Sequence, residues 1–225
     1  MTQSKVYKYS AAKYLLLLTI VVTSMMSWKD AIPTAKTTTE RLDIFGVKPD
    51  KKEKDSLLYV ELLDKSGDKE LTKIYYDKSN TEVGKETYLY QNDTALPYGS
   101  SYTGPDGKIL SYYRYVYNAH GQKVLLAAFD AADDSILRYE RYSYDANGHL
   151  AIKEISDASL KPNRQFIFEN DKFGNINTMT ILGENADTIA VETYKTTKMD
   201  DKQRWVEKWG FIDDNPKTFH IKSIK

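Results

Sequence analysis

A chain of 225 residues suffices for one medium domain or one elongated repeat array, and its 32 Lys and Arg cancel against 32 Asp and Glu. Cancelled charge argues against a nucleic-acid binder, which needs a basic surface to displace counterions from phosphates. The lack of cysteine excludes disulfides, thiolate metal centres, cysteine nucleophiles and a lipid-modified cysteine. The 18 tyrosines, set against 41% hydrophobic residues, suit a half-wetted pleated surface.

The chain opens with three lysines, Lys5, Lys8 and Lys13, followed by the apolar run "YLLLLTIVV" from Tyr14 to Val22 and then by small and polar residues. This order predicts a secretory signal peptide over residues 1–27, with Ser24 or Ser27 at the cleavage position. The apolar run is shorter than the ~20 residues of a spanning helix. An uncleaved signal segment is the one expected route to the membrane. Residues 28–55 read as a flexible linker: "TAKTTTE" and "KPDKKEKD" carry no periodic apolar face, and only Leu42, Ile44, Phe45 and Val47 interrupt them.

From residue 56 to 225 short runs of Tyr, Val, Ile, Leu and Thr alternate with clusters of Asp, Asn, Gly and Ser. The runs predict strands at 57–63, 70–77, 85–91, 108–117, 123–129, 135–144, 149–156, 164–170, 175–182, 187–195, 204–211 and 217–224. The stretches between them read as turns. Asp64-Lys65-Ser66-Gly67, Asn118-Ala119-His120-Gly121, Asp145-Ala146-Asn147-Gly148 and Asp171-Lys172-Phe173-Gly174 share one form, Asp or Asn first and Gly fourth. Gly104-Pro105-Asp106-Gly107 is a variant. A type I turn followed by a left-handed glycine wants this order. Looser turns are expected at 130–134, 157–162 and 183–187. Gly121, Gly148 and Gly174 lie 27 and 26 residues apart, the length of a hairpin. The fold expected is all-β: an antiparallel meander of about 10–12 strands built from 26–27-residue hairpin repeats, as an open or rolled sheet.

"YDANGHLAIKEI" from Tyr144 and "YNAHGQKVL" from Tyr117 resemble the YD repeats of Rhs-type proteins. Residues 100–225, and weakly 57–99, are similar to a subset common in secreted Bacteroidetes proteins. Where that subset has a tyrosine and a glycine around its last repeat turn, this chain has Met199 and Gln203. A different turn conformation is expected there, because a side chain disfavours positive φ. The resemblance implies a secreted or envelope protein without an assigned activity. Asp55-Ser56-Leu57, Asp93-Thr94-Ala95, Asp134-Ser135-Ile136 and Asp187-Thr188-Ile189 also resemble the Asp-Ser/Thr-aliphatic acceptor of O-glycosylation in such envelopes, although turns gather these residues anyway.

No catalytic constellation emerges. His120, His149 and His220 share no ligand spacing, the turn acids lack a calcium-loop order, and there is no nucleophile elbow or phosphate loop. No metal or cofactor is expected. Aromatic rows remain as a candidate binding surface. In "SYYRYVY", Tyr113, Tyr115 and Tyr117 alternate onto one face, and Trp205 and Trp209 are expected to share a face as well. They read either as a platform for sugar or peptide, or as a cross-strand packing ladder. The resulting expectation is a non-enzymatic β-repeat protein, exported to the periplasm or cell surface. It would bind or scaffold an unknown protein or glycan partner, but no nucleic acid. The alternatives are an open-barrel carrier of a lipid or other apolar ligand and, ranked last, a glycan hydrolase.

Overall fold

The computed structural model describes residues 37–48, 53–91 and 94–224. Among these, fourteen strands run in chain order: β1 (Thr37–Lys48), β2 (Glu53–Ser66), β3 (Lys69–Asp77), β4 (Glu82–Leu89), β5 (Gly99–Thr103), β6 (Ile109–Tyr117), β7 (Lys123–Asp130), β8 (Ile136–Tyr144), β9 (Leu150–Ser156), β10 (Pro162–Asn170), β11 (Ile176–Leu182), β12 (Thr188–Met199), β13 (Trp205–Ile212) and β14 (Asn215–Ile224). Each pairs antiparallel with its neighbour in sequence, and β1 pairs with β14, so the sheet is a closed barrel. The expected meander is present. Its edges are not: the sheet is neither open nor merely rolled.

Two strands were not legible. β5 lies where a loop was expected, and β1 lies inside the expected linker. The reason for β1 is the partner on each side. Glu40 to Gly46 pair with Ile224 to Thr218, and Thr37 to Lys48 run along β2. A polar run that has no apolar period of its own is held by two ladders of backbone hydrogen bonds. The signal peptide expected over 1–27, and the rest of the linker at 28–36 and 49–52, lie outside the described residues.

The turns show the expected chemistry and extend it, except at 64–67, where β2 runs on to Ser66, only Gly67 and Asp68 turn, and the Asp64 carboxylate accepts from Thr39 and Thr72 instead of from turn backbone. Asp145 Oδ1 accepts from the backbone N–H of Asn147 and His149 at 2.8 and 2.9 Å, and Gly148 N–H donates to Asp145 O at 3.0 Å. Asn118, Asp157, Asp171 and Asp200 repeat this pattern. The fourth residue is left-handed at Gly121, Gly148 and Gly174, with φ of 76°, 84° and 84°. Leu160, Ala186 and Gln203 occupy the same position with φ of 65°, 60° and 60°. The turn at 183–187, read as looser, has these backbone bonds without a side-chain acceptor, its first residue being Gly183, and the one read as looser at 157–162 therefore has the full form. So does the 200–204 turn, where a different conformation was expected. The Asp200 carboxylate takes Lys202 N–H, Arg204 N–H and the Arg204 guanidinium, and Asn175 donates to the Gln203 carbonyl at 3.1 Å. Those contacts hold glutamine where glycine would be at ease.

Two outcomes follow from these constraints. Gly148→Ala should lower unfolding stability by about 1 kcal/mol, whereas Ala186→Gly and Gln203→Gly should raise it by roughly 0.5–1 kcal/mol, strain relief exceeding the added chain entropy; chemical denaturation of the three variants checks both signs. Deleting residues 37–48 should expose β2 and β14 as bare edges and convert a monodisperse barrel into aggregate, read by size-exclusion chromatography.

Candidate functional site

Strand alternation and barrel curvature decide which residues line the inside. Tyr75 on β3 sits 6.0 Å from Tyr102 on β5, and Tyr115 on β6 reaches Glu86 on β4 at 3.0 Å. Side chains two strands apart meet in this way on the concave face of a curled sheet. Gly84 on β4 makes room for it, since a Cβ there would lie 2.1 Å from the Tyr102 hydroxyl. From these anchors the alternation places Glu40, Glu61, Glu86, Glu140, Glu192, Lys65, Lys73, Lys123, Lys153, Lys208 and Lys222 on the inner wall, with tyrosines between them.

The wall from β3 to β9 holds two hydrogen-bonded groups joined by a lysine. Glu86 Oε1 accepts from Ser100 Oγ at 2.5 Å and Tyr115 OH at 3.0 Å, and its Oε2 accepts from Tyr75 OH at 3.1 Å. Glu140 accepts from Arg138 Nε at 2.9 Å, Tyr142 OH at 2.7 Å and Lys153 Nζ at 2.7 Å. Lys123 bridges the two groups, with its Nζ 4.8 Å from the ring centroids of both Tyr115 and Tyr142. Burial alone would raise the Glu140 pKa, but the Lys153 and Tyr142 hydrogen bonds and the neighbouring charges hold it down to about 2. Burial pushes Lys123 below the usual lysine range, against the attraction of Glu140 and Glu86. Burial, and then the Glu86 or Glu140 carboxylate, raise the hydroxyls of Tyr75, Tyr88, Tyr115 and Tyr142.

Tyr113, Tyr115 and Tyr117 do share a face, and it is the inner one. Tyr115 packs on Leu126 and Ala128, Tyr117 OH donates to Pro97 O at 2.8 Å, and Tyr113 OH accepts from Ser111 at 3.1 Å. Trp205 and Trp209 do not share a face. The β12–β13 pairing shifts register between Lys198 and Met199, leaving Val206 as an extra residue, so Trp205 turns inward while Trp209 stays outward beside Phe219 at 4.8 Å. Sequence alternation cannot see such a bulge.

Trp205 belongs to a second inner cluster. Lys208 Nζ lies 4.3 Å from the ring centroids of both Trp205 and Tyr194, and the His220 ring is edge-on to both, at 6.3 and 6.1 Å. Tyr194 OH donates to Glu192. Burial lowers Lys208 to about 8, against the pull of Glu192. Burial, then the Lys208 charge, lower His220 to about 4. The polar inner residues carried one signal in the sequence. Runs such as "RYERYSY" alternate without a purely apolar face, as a strand with a wet interior would.

The outer wall is mixed. Tyr112 stacks on Phe129 at 4.9 Å, but Arg41 pairs with Asp43 at 2.8 Å and Arg141 with Glu154 at 2.7 Å, all within strands. Ser56, Thr94, Ser135 and Thr188, the hydroxyl residues of the four acceptor-like tripeptides, are all exposed. Among the described residues no group of three His, Cys, Asp or Glu is placed to hold a metal ion.

The titrations set the pH range of the barrel. Buried tyrosines with raised pKa stabilise fully below the unfolded value of 10.0, and that stability is lost as pH climbs above it. Glu140 and His220, with lowered pKa, stabilise above their unfolded values of 4.5 and 6.5, and their contributions are lost as pH falls toward 2 and 4. Stability should therefore fall on both sides of a neutral plateau, and His220→Gln should remove the first acid limb between about 6.5 and 4; denaturation midpoints across pH check this.

No family model and no curated protein matches the chain. Among solved structures it is similar to a porin-like protein from Bacteroides uniformis ATCC 8492, at 10% identity over 86% of this chain and 99% of that one, with a TM-score of 0.48. It is also similar to TcdB2-TccC3 without its hypervariable C-terminal region, at 14% identity over 75% of this chain and 10% of that one, TM-score 0.31. The Photorhabdus luminescens Tc holotoxin pore matches at 12% identity over 72% of this chain and 9% of that one, TM-score 0.32. This chain thus spans about a tenth of the toxin chains it resembles.

Proposed function

We propose that the protein is an exported, non-enzymatic β-barrel of the YD-repeat kind. It works in the aqueous part of the cell envelope and binds a hydrophilic partner, protein or glycan, through its inner wall and rim. The observation that carries this reading is the inner network of Glu86, Glu140, Lys123, Lys153 and their tyrosines, a wall built for polar contacts rather than for an oily filling. The repeated Asp-x-x-Gly turns support the YD-repeat assignment.

Two further features support the reading. A lipid-facing wall would bear an apolar band, and an Arg or Lys at mid-membrane costs roughly 2–4 kcal/mol. Arg41, Asp43, Arg141 and Glu154 sit outward within strands, which fits water better. Hydrolysis of a glycoside needs a carboxyl kept protonated, and Glu140 is held ionised by three donors.

One sector favours a second reading. The inner faces of β10 and β11 carry Phe166, Phe168, Met179 and Ile181, an apolar strip that would suit part of a lipid or other apolar ligand.

Fractionation of the native host tests the first reading. The expected result is release by osmotic shock without detergent, as a chain that has lost its first 24–27 residues by intact mass, a number set by the small residues Ser24 and Ser27. Recovery only from detergent-solubilised membrane, or of the full-length chain from the cytosol, would overturn it.

A further inference from the structure

At the end of the barrel where β13 and β14 meet β1, two cavities share two side chains, Trp205 and Lys222. One, of about 130 Å³, is bordered by Glu40, Arg41, Leu42, Glu61 and Leu63. The other, of about 180 Å³, is bordered by Asp200, Arg204, Val206 and Ser223. Trp205 is thus an indole with cavity space beside it and ionic groups around it.

Trp205 is anchored through its backbone and flanked on its ring. The Trp205 backbone N–H donates to Asn175 Oδ1 at 3.3 Å, and Asn175, only 6% exposed, spends its amide on Asp171 Oδ2 at 2.9 Å and the Gln203 carbonyl at 3.1 Å. A side chain from one repeat turn therefore clamps the next. Within the barrel, Lys208 lies over the ring and His220 meets it edge-on. The polar groups are fixed as well. Glu40 holds Lys65 at 2.9 Å and Lys222 at 3.3 Å, and Arg204 Nη2 holds Asp200 Oδ2 at 2.6 Å.

The mixture of groups selects the ligand class. An anion would face Glu40, Glu61 and Asp200. A cation would face Lys222 and Arg204. An apolar molecule would strip water from all five without replacing its hydrogen bonds. A sugar ring fits each part: its C–H face packs on an aromatic plane, its hydroxyls donate to carboxylates, and the same hydroxyls accept from ammonium and guanidinium groups. We infer that the Trp205–Lys222 rim is a saccharide subsite, with room for a single ring in each cavity. This inference rests on the reading of the barrel as a binder of hydrophilic partners, and narrows that partner to a glycan.

Fluorescence titration of the full chain tests it, with cellotetraose, maltotetraose, xylotetraose and chitotetraose as probes and sorbitol as the ring-free control. At least one tetrasaccharide should shift tryptophan emission saturably in the wild type and in Trp209→Phe, and sorbitol should not. Lys222→Met should weaken that response at least tenfold, and Trp205→Ala should abolish it, with calorimetry showing that Trp205→Phe still binds. If Trp205→Ala does not fold by circular dichroism, Lys222→Met and Trp205→Phe decide the matter. No saturable response to any of the four sugars, a response equal in sorbitol, or full affinity in Lys222→Met would overturn the subsite. A detergent-free periplasmic protein that ignores all four sugars would refute the saccharide and leave the aqueous-barrel reading standing.

Discussion

Closure by the β1–β14 ladder is the constraint on which the rest depends. A fourteen-strand meander without it has two long edges and two faces in bulk water. With it, Glu40 to Gly46 meet Ile224 to Thr218, the sheet gains a concave side, and every second residue of every strand is committed to that side. The rim around Trp205 exists only because of the same ladder. Glu40 and Leu42 come from the first strand, Lys222 from the last and Trp205 from the one before it.

The apolar cluster of Tyr115, Leu126 and Ala128 is small, and the inner wall shows what supplements it. Among the described residues the largest fully buried side chains are small, Val60, Ser100 and Ser156. Tyrosines pack ring against ring and send their hydroxyls to carboxylates: Tyr75 and Tyr115 to Glu86, Tyr142 to Glu140, Tyr59 to Glu61. Buried charge pairs add little net stability, because desolvation offsets most of their attraction. Satisfied networks of this kind do fix side-chain positions. The wall is therefore held in place and polar together.

The turns connect the repeat to the candidate site. One Asx-type turn recurs whether glycine, leucine or glutamine occupies its left-handed position. The side-chain oxygen of the first residue, accepting from two backbone N–H groups, is strong enough to impose the geometry where glycine is missing. Asn175, just beyond the left-handed Gly174, then reaches across to the 200–204 turn and to Trp205. Turn chemistry that is local to each hairpin thereby aligns hairpins with one another and places an aromatic side chain at the rim.

What the residues determine by themselves is everything local. The alternation of tyrosine and aliphatic runs sets the strands, Asp or Asn followed by glycine sets the turns, and Tyr113, Tyr115 and Tyr117 fall on one face because a strand has period two. Tertiary structure decided what depends on distant partners. β1 has no period of its own and becomes a strand only between β2 and β14. Trp205 and Trp209 part company because one extra residue in the β13 pairing reverses the alternation, which no local pattern records. The gathering of Glu40, Lys222 and Trp205 from opposite ends of the chain was invisible for the same reason. Spacing along a sequence carries neighbours within a hairpin, whereas the curvature that closes a sheet is a sum over all of its strands.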